Sequence, residues 1–111
     1  MRDQKTRKLY FTADDCKPGV ERGVWNGGPF TVVRYEYAPG SVFPVHHHES
    51  AQITVVLSGR IYFHIESEDI TLAAGESLFI PGSVPHAADV PADGPAVVSL
   101  NIFHPPRKDH P

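Results

Sequence analysis

The stretch Gly40-Ser41-Val42-Phe43-Pro44-Val45-His46-His47-His48-Glu49-Ser50-Ala51-Gln52 decides how this chain folds and what it holds. His46 and His48 are two residues apart, so on an extended strand both side chains leave the same face. Gln52 follows a short step further on. A second segment, Ile80-Pro81-Gly82-Ser83-Val84-Pro85-His86, brings another imidazole from a distant Gly/Pro-rich turn. Three imidazoles and one amide oxygen from two separated segments are the ligand supply of a divalent transition-metal site. His47 and Glu49 alternate with the pair and point the other way. Glu49 competes with Gln52 for the fourth position, and strand alternation favours Gln52.

Working outward, the chain reads as all-β. It has 111 residues, enough for one ordinary core, and the expectation is a single domain over 1–111. Eleven prolines and nine glycines fall between short segments rich in Val, Ile, Phe, Tyr and Thr, and no stretch keeps a helical period. Residues 1–19 form a lead-in in which Leu9-Tyr-Phe-Thr12 is a short pairing segment. Strands are expected at Val20–Trp25, Phe30–Tyr37, Pro44–His48, Gln52–Leu57, Arg60–Glu66, Ile70–Leu72, Ser77–Ile80 and Ala96–Phe103. In Arg60–Glu66 the apolar set Ile61, Phe63 and Ile65 keeps a two-residue period. The last strand has an apolar set, Val98, Leu100 and Ile102, and a mixed set, Val97, Ser99, Asn101 and Phe103. A strand that only packs a core does not need Ser99 and Asn101 on one side, so the mixed set lines something polar. Residues 104–111 read as a tail.

Charge and composition exclude several partners. The formal net charge is -3 and basic residues form no run, which excludes nucleic acid and an anionic membrane surface. No apolar run approaches the ~20 residues that span a bilayer, and the segment 1–8 is too polar for a signal core. The lone Cys16 excludes an internal disulfide. A cytoplasmic protein is therefore expected.

Two spaced motifs now carry a resemblance. Gly40, His46, His48, Gln52 and Gly59 resemble the first motif of the cupins, and Gly75, Pro81 and His86 resemble the second. The resemblance covers residues 40–86 and implies an RmlC-like jelly-roll barrel, a double-stranded β-helix. Its implied metal ligands are His46, His48, Gln52 and His86, holding a divalent ion such as Zn, Ni, Fe or Mn. The first motif commonly carries Glu where this chain has Gln52, and the second often ends in Asn where Val90 stands. A carboxylate would cancel part of the metal charge; the Gln52 amide does not, which favours an anionic ligand and stronger Lewis-acid polarisation.

The ending Leu100-Asn-Ile-Phe-His-Pro-Pro-Arg107 is similar to a narrower group, the pectin-degradation cupins that open 4,5-unsaturated uronates into linear keto sugars. That group carries an Asp-x-Phe-x-Pro-x-Arg pattern. Here its positions fall on Asn101, Phe103 and Arg107. The resemblance implies that Phe103 stacks on the sugar and Arg107 clamps its carboxylate. Asn101 stands where the acid/base would be, and an amide positions a hydroxyl without exchanging its proton. Phe103 is equally at home in the core, and Arg107 in a solvated tail. Arg34 and Arg60 are further carboxylate anchors that no spacing singles out. His47, His64, His104 and His110 have no partner spacing and read as surface or rim residues.

The reading is a metal-dependent cupin that binds or transforms a small anionic or carbohydrate-like molecule. Proton-transfer ring opening of an unsaturated sugar acid is the first reaction to consider. An Fe(II) dioxygenase using the three histidines and a non-catalytic binding cupin are the alternatives. Small cupins pair through edge strands, so a homodimer is expected.

Overall fold

The computed structural model describes residues 6–108 and is all-β in this range. Ten strands run in chain order: β1 (Thr12–Lys17), β2 (Val20–Gly27), β3 (Phe30–Tyr37), β4 (Val42–His46), β5 (Ala51–Ser58), β6 (Arg60–Ile65), β7 (Glu68–Ala73), β8 (Ser77–Ile80), β9 (His86–Asp89) and β10 (Val97–His104). They form a six-stranded sheet in the order β1-β2-β3-β10-β5-β8 and a four-stranded sheet in the order β4-β9-β6-β7. Every pairing is antiparallel. The jelly roll expected from the sequence is the fold observed. No helix among the described residues is long and apolar enough to cross a membrane.

Alternation in the sequence sets which residues face inward. In β3 the buried residues are Thr31, Val33, Tyr35 and Tyr37, and in β6 they are Ile61, Phe63 and Ile65. With Val20, Val56, Ile80, Val97 and Phe103 they make the core between the two sheets. Each such side chain contributes about 1.5–3 kcal/mol when taken fully out of water.

β10 reverses the simplest assignment of its two faces. Val97, Ser99, Asn101 and Phe103, the mixed set, point into the barrel and are buried. The uniformly apolar Val98, Leu100 and Ile102 lie half-buried on the outer face. Register explains it: Asn101 sits between Val33 of β3 and Thr54 of β5, and Phe103 between Thr31 and Gln52, all inward-facing. The sequence reading that this mixed face lines a polar interior agrees with the structure.

Several boundaries differ from the sequence reading. Pairing at the N-terminus starts at Thr12, not Leu9, and extends through Asp14 and Asp15, residues poor in strand propensity. Cross-strand pairing of Asp14 with Arg22, at 2.7 Å between Oδ1 and Nε, supports this edge strand. β9 had no counterpart in the sequence reading, because four residues with two alanines carry little local signal; pairing with β4 and β6 creates it. β4 stops at His46, so His48 belongs to the following loop and not to a continuing strand.

That loop is held from the second motif. A Cβ on Gly82 would lie 2.3 Å from the Glu49 carbonyl oxygen, so only glycine lets the turn approach this closely. The Ser83 N–H donates to the His48 carbonyl at 2.7 Å, and the Ser50 hydroxyl donates to the Pro105 carbonyl at 2.6 Å. Two remote turns thereby fix the loop that carries His48.

Candidate metal centre

Three histidines converge at one end of the barrel. His46 ends β4 and His86 begins β9, and the two are direct cross-strand partners with ring centroids 4.3 Å apart. The His48 ring lies 5.0 Å from His86 and 5.8 Å from His46. One ligand atom from each falls within 4.8 Å of the others. The same-strand geometry expected for His46 and His48 is replaced by a strand end and a loop, yet both rings reach the same point.

The other ring nitrogen of each histidine is anchored in the same way. His46 Nδ1–H donates to the Pro44 carbonyl at 3.0 Å, His48 to Ser50 at 2.9 Å and His86 to Val84 at 2.8 Å. Carbonyls only accept, so each Nδ1 carries the proton and each Nε2 presents a bare lone pair. This is the arrangement that orients metal-binding imidazoles. His86 is 3% exposed and its Nε2 has no hydrogen-bond partner among the described residues. A buried orphan acceptor of this kind is costly unless a cation meets it.

Gln52 presents its side-chain oxygen to the same point. Its side-chain N–H donates to Thr54 Oγ1 at 2.8 Å, which turns Oε1 toward His48 Nε2 at 3.1 Å. Glu49 and His47 are exposed and lie outside the converging group. Electrostatics prepares the imidazoles as ligands. Burial, reinforced by the neighbouring histidines and Arg107, lowers the His86 pKa to about 4. Burial first, then Arg107, lowers that of His48 as well. Both are neutral near pH 7, so no proton competes for their lone pairs. The donor set therefore fits a divalent metal: three imidazole nitrogens and one amide oxygen, all pre-oriented.

The three C-terminal candidates gather at the same site. Phe103 is 1% exposed and stands edge-on to His48, with centroids 5.3 Å apart. It is core and pocket wall at once. The Arg107 guanidinium lies 4.9 Å from the Phe103 ring centroid. Its backbone is pinned, N–H to Thr31 Oγ1 at 2.8 Å and carbonyl accepting from Asn26 Nδ2 at 3.3 Å, so this part of the tail is built into the barrel mouth. Asn101 is buried, its Oδ1 has no hydrogen-bond partner among the described residues, and its amide N–H is directed to the Tyr37 hydroxyl oxygen.

Other histidines and arginines lie elsewhere. His64 sits on the outer face between Asp69 and Asp89, partners that its spacing did not reveal. His104 Nδ1–H donates to the Pro29 carbonyl, and His110 lies outside the described residues. Arg34 and Arg60 are on the exposed outer face, Arg60 over Tyr62. Alternation along 30–37 puts Tyr35 and Tyr37 on one face with Val33, as observed, but gives them no role, and Thr54 was passed over although alternation with Gln52 was the available signal.

The cavity beside the histidines is small, about 30 Å³, and among the described residues no Asp or Glu lines it. It opens past Tyr35, Phe43, His46 and Arg107 into an outer chamber of about 260 Å³. A larger hollow, about 710 Å³, lies between Lys17–Glu21 and Glu36–Pro39, where no set of ligand groups converges.

The cupin-domain family model matches residues 33–103, spanning the ligands and the inner strand β10. This chain belongs to the cupin family. Among solved structures, this cupin is similar to KdgF from Halomonas sp., at 26% identity and a TM-score of 0.79, over 88% of this chain and 91% of that one. It is also similar to an RmlC-like cupin from Shewanella frigidimarina, at 25% identity and a TM-score of 0.80, over 89% and 87% of the two chains. AerE from Microcystis aeruginosa, at 20% identity and a TM-score of 0.81 over 86% of this chain and 46% of that one, shares the fold. No curated protein sequence gives a significant match.

Proposed function

We propose that this cupin binds a divalent metal through His46, His48, Gln52 and His86 and acts on a small sugar acid by proton transfer. The reaction it suits is the opening of a 4,5-unsaturated uronate. The anomeric hydroxyl loses a proton, the ring C–O bond breaks, and the alkene carbon gains a proton as the enol becomes a ketone. A bound divalent ion supplies Lewis-acid polarisation of a ligand oxygen. The carrying observation is the stack of Arg107 over Phe103 at the mouth of the histidine pocket, with the buried Asn101 amide inside it. Arg107 pairs with the carboxylate, Phe103 covers the apolar face of the ring, and Asn101 orients a hydroxyl. KdgF, a pectin-degradation cupin, supports this reading by structural similarity at low identity.

The proton carrier differs from the pattern of the resembling group. Among the described residues no carboxylate lines the pocket, and burial raises the pKa of both Tyr35 and Tyr37, which keeps their hydroxyls protonated. These phenols line the same cavity as Asn101 and bear the protons a transfer would use. The same observation favours a second reading, a cupin that binds a sugar acid without turning it over. Freshly made alginate- or pectin-lyase monomers, followed by loss of alkene absorbance, separate the two. Acceleration by wild-type protein supports ring opening. Acceleration by Asn101→Asp alone supports the binding reading, and no effect of either overturns the uronate assignment.

A homodimer remains part of the proposal. Trp25, Val32, Ile102, Ile53 and Phe79 are successive cross-strand partners and make an apolar row across the outer face of the larger sheet. Phe79 is 61% and Ile53 44% exposed in the single chain. A second copy packed on this row covers it, and light scattering measures the mass that decides it.

A further inference from the structure

The outer chamber has a chemistry of its own. Its walls include Lys17, Arg22, Arg107 and His46, and among the described residues no Asp or Glu lines it. Arg22 comes from β2, far in sequence from every motif, and its side chain faces inward beside Tyr35. Asp14 holds one edge of its guanidinium, at 2.7 Å to Nε and 3.4 Å to Nη2. Lys17 Nζ donates to the Val42 carbonyl at 2.7 Å and lies 5.1 Å from the Phe43 ring centroid. Three cations thus line one chamber, and Asp14 holds one of them, Arg22, from one edge. Gln52 adds no negative charge to the adjoining metal ligands.

Size points the same way. The inner cavity, about 30 Å³, has room for an ion and little more. The chamber, about 260 Å³, approaches the lower end of ordinary ligand pockets, about 300 Å³. A sugar-sized molecule reaching His46 must therefore keep its body in the chamber, among these cations. One carboxylate engages Arg107 and leaves Arg22 and Lys17 facing the ligand.

We propose that this chamber is an anion subsite in which Arg22, with Lys17, binds a second acidic group, so that the preferred ligand is a dianionic sugar acid. The second group is a carboxylate or a phosphate; both match a guanidinium fork. This inference rests on the proposed placement of a sugar acid between Arg107 and the metal centre. Arg22 is a specificity residue and takes no part in bond making.

The test compares galacturonate, galactarate and galacturonate 1-phosphate by calorimetry on the metal-loaded full chain. Tighter binding of galactarate or of the phosphate, by about tenfold over galacturonate, is expected, and which one gains identifies the second group. Arg22→Gln should remove that gain and leave galacturonate affinity unchanged, while Arg22→Lys should keep part of it. The sole cysteine, Cys16, lines the chamber and provides a readout in unmutated protein. Saturating dianion should slow its alkylation by iodoacetamide. Equal affinity for all three ligands, with Cys16 unprotected, overturns the subsite and leaves the uronate reading intact. Absence of binding by any of them, in protein that retains its metal, overturns both.

Discussion

His48 Nε2 and Gln52 Oε1 face each other at 3.1 Å, and both atoms carry lone pairs. The His48 proton is committed at Nδ1 to the Ser50 carbonyl, and the Gln52 amide protons are directed to Thr54. Two acceptors at this distance repel unless a cation lies between them and their neighbours. The relationship supports the proposed metal site at this point and makes Thr54 the residue that orients Gln52.

Thr54→Val keeps the side-chain volume and removes the acceptor that orients Gln52. Affinity for the metal should fall about 10- to 100-fold, as for other supporting contacts around metal ligands. Folding stability should fall by about 1–3 kcal/mol, because the Gln52 N–H loses its buried partner. Gln52→Glu should bind metal more tightly than wild type by adding a charge. Competition with a chromophoric chelator measures all three, and an unchanged Thr54→Val affinity would refute the orientation argument.

Metal retention should persist into acid. Protons and metal compete for the same Nε2 atoms, and burial lowers the pKa of His48 and brings that of His86 to about 4. His86 takes up few protons at pH 5–6 and His48 fewer than an ordinary imidazole, so release should become marked only well below pH 6.5. Inductively coupled plasma analysis after dialysis across this range gives the curve. A midpoint near 6.5, the ordinary imidazole value, would contradict the burial effect.

His64 should make stability fall in mild base. Its ring lies 2.8 Å from Asp69 and 2.5 Å from Asp89 through opposite nitrogens, and both contacts require an N–H. Hydrogen bonding to Asp69, then to Asp89, raises its pKa. A raised folded pKa means the stabilisation is complete below the unfolded value, about 6.5, and is lost as pH rises through the folded one. Melting curves from pH 6 to 9 should show this decline for wild type and a flatter profile for His64→Gln. Equal slopes in the two proteins would remove His64 as the cause.

Gly82→Ala should damage both fold and site. Its Cβ would meet the Glu49 carbonyl at 2.3 Å, and the rigid backbone there must move. Overpacking of this kind costs about 1–3 kcal/mol. The displaced loop carries His48, so the variant should also bind metal more weakly. Thermal melts and chelator competition on the same preparation check both effects.

The sequence by itself determined the ligand types, the strand-rich architecture and the family. Those properties follow from local spacing: His46, His48 and Gln52 within one short stretch, Gly82 and His86 within another, and alternation along β3 and β6. It also placed Asn101, Phe103 and Arg107 as candidates, all of which line the cavity beside the histidines. Tertiary structure decided what depends on contacts between residues remote in the chain. The pairing of His46 with His86 brings two rings together, and Thr54 turns the Gln52 amide. Neighbouring strands make the mixed face of β10 the inward one, although its other face is more apolar. Arg22 reaches the same chamber as Arg107 only because β2 and the C-terminal segment flank β3 at the barrel mouth. Chemical identity is written residue by residue, whereas direction and proximity arise only when the sheets close over one core.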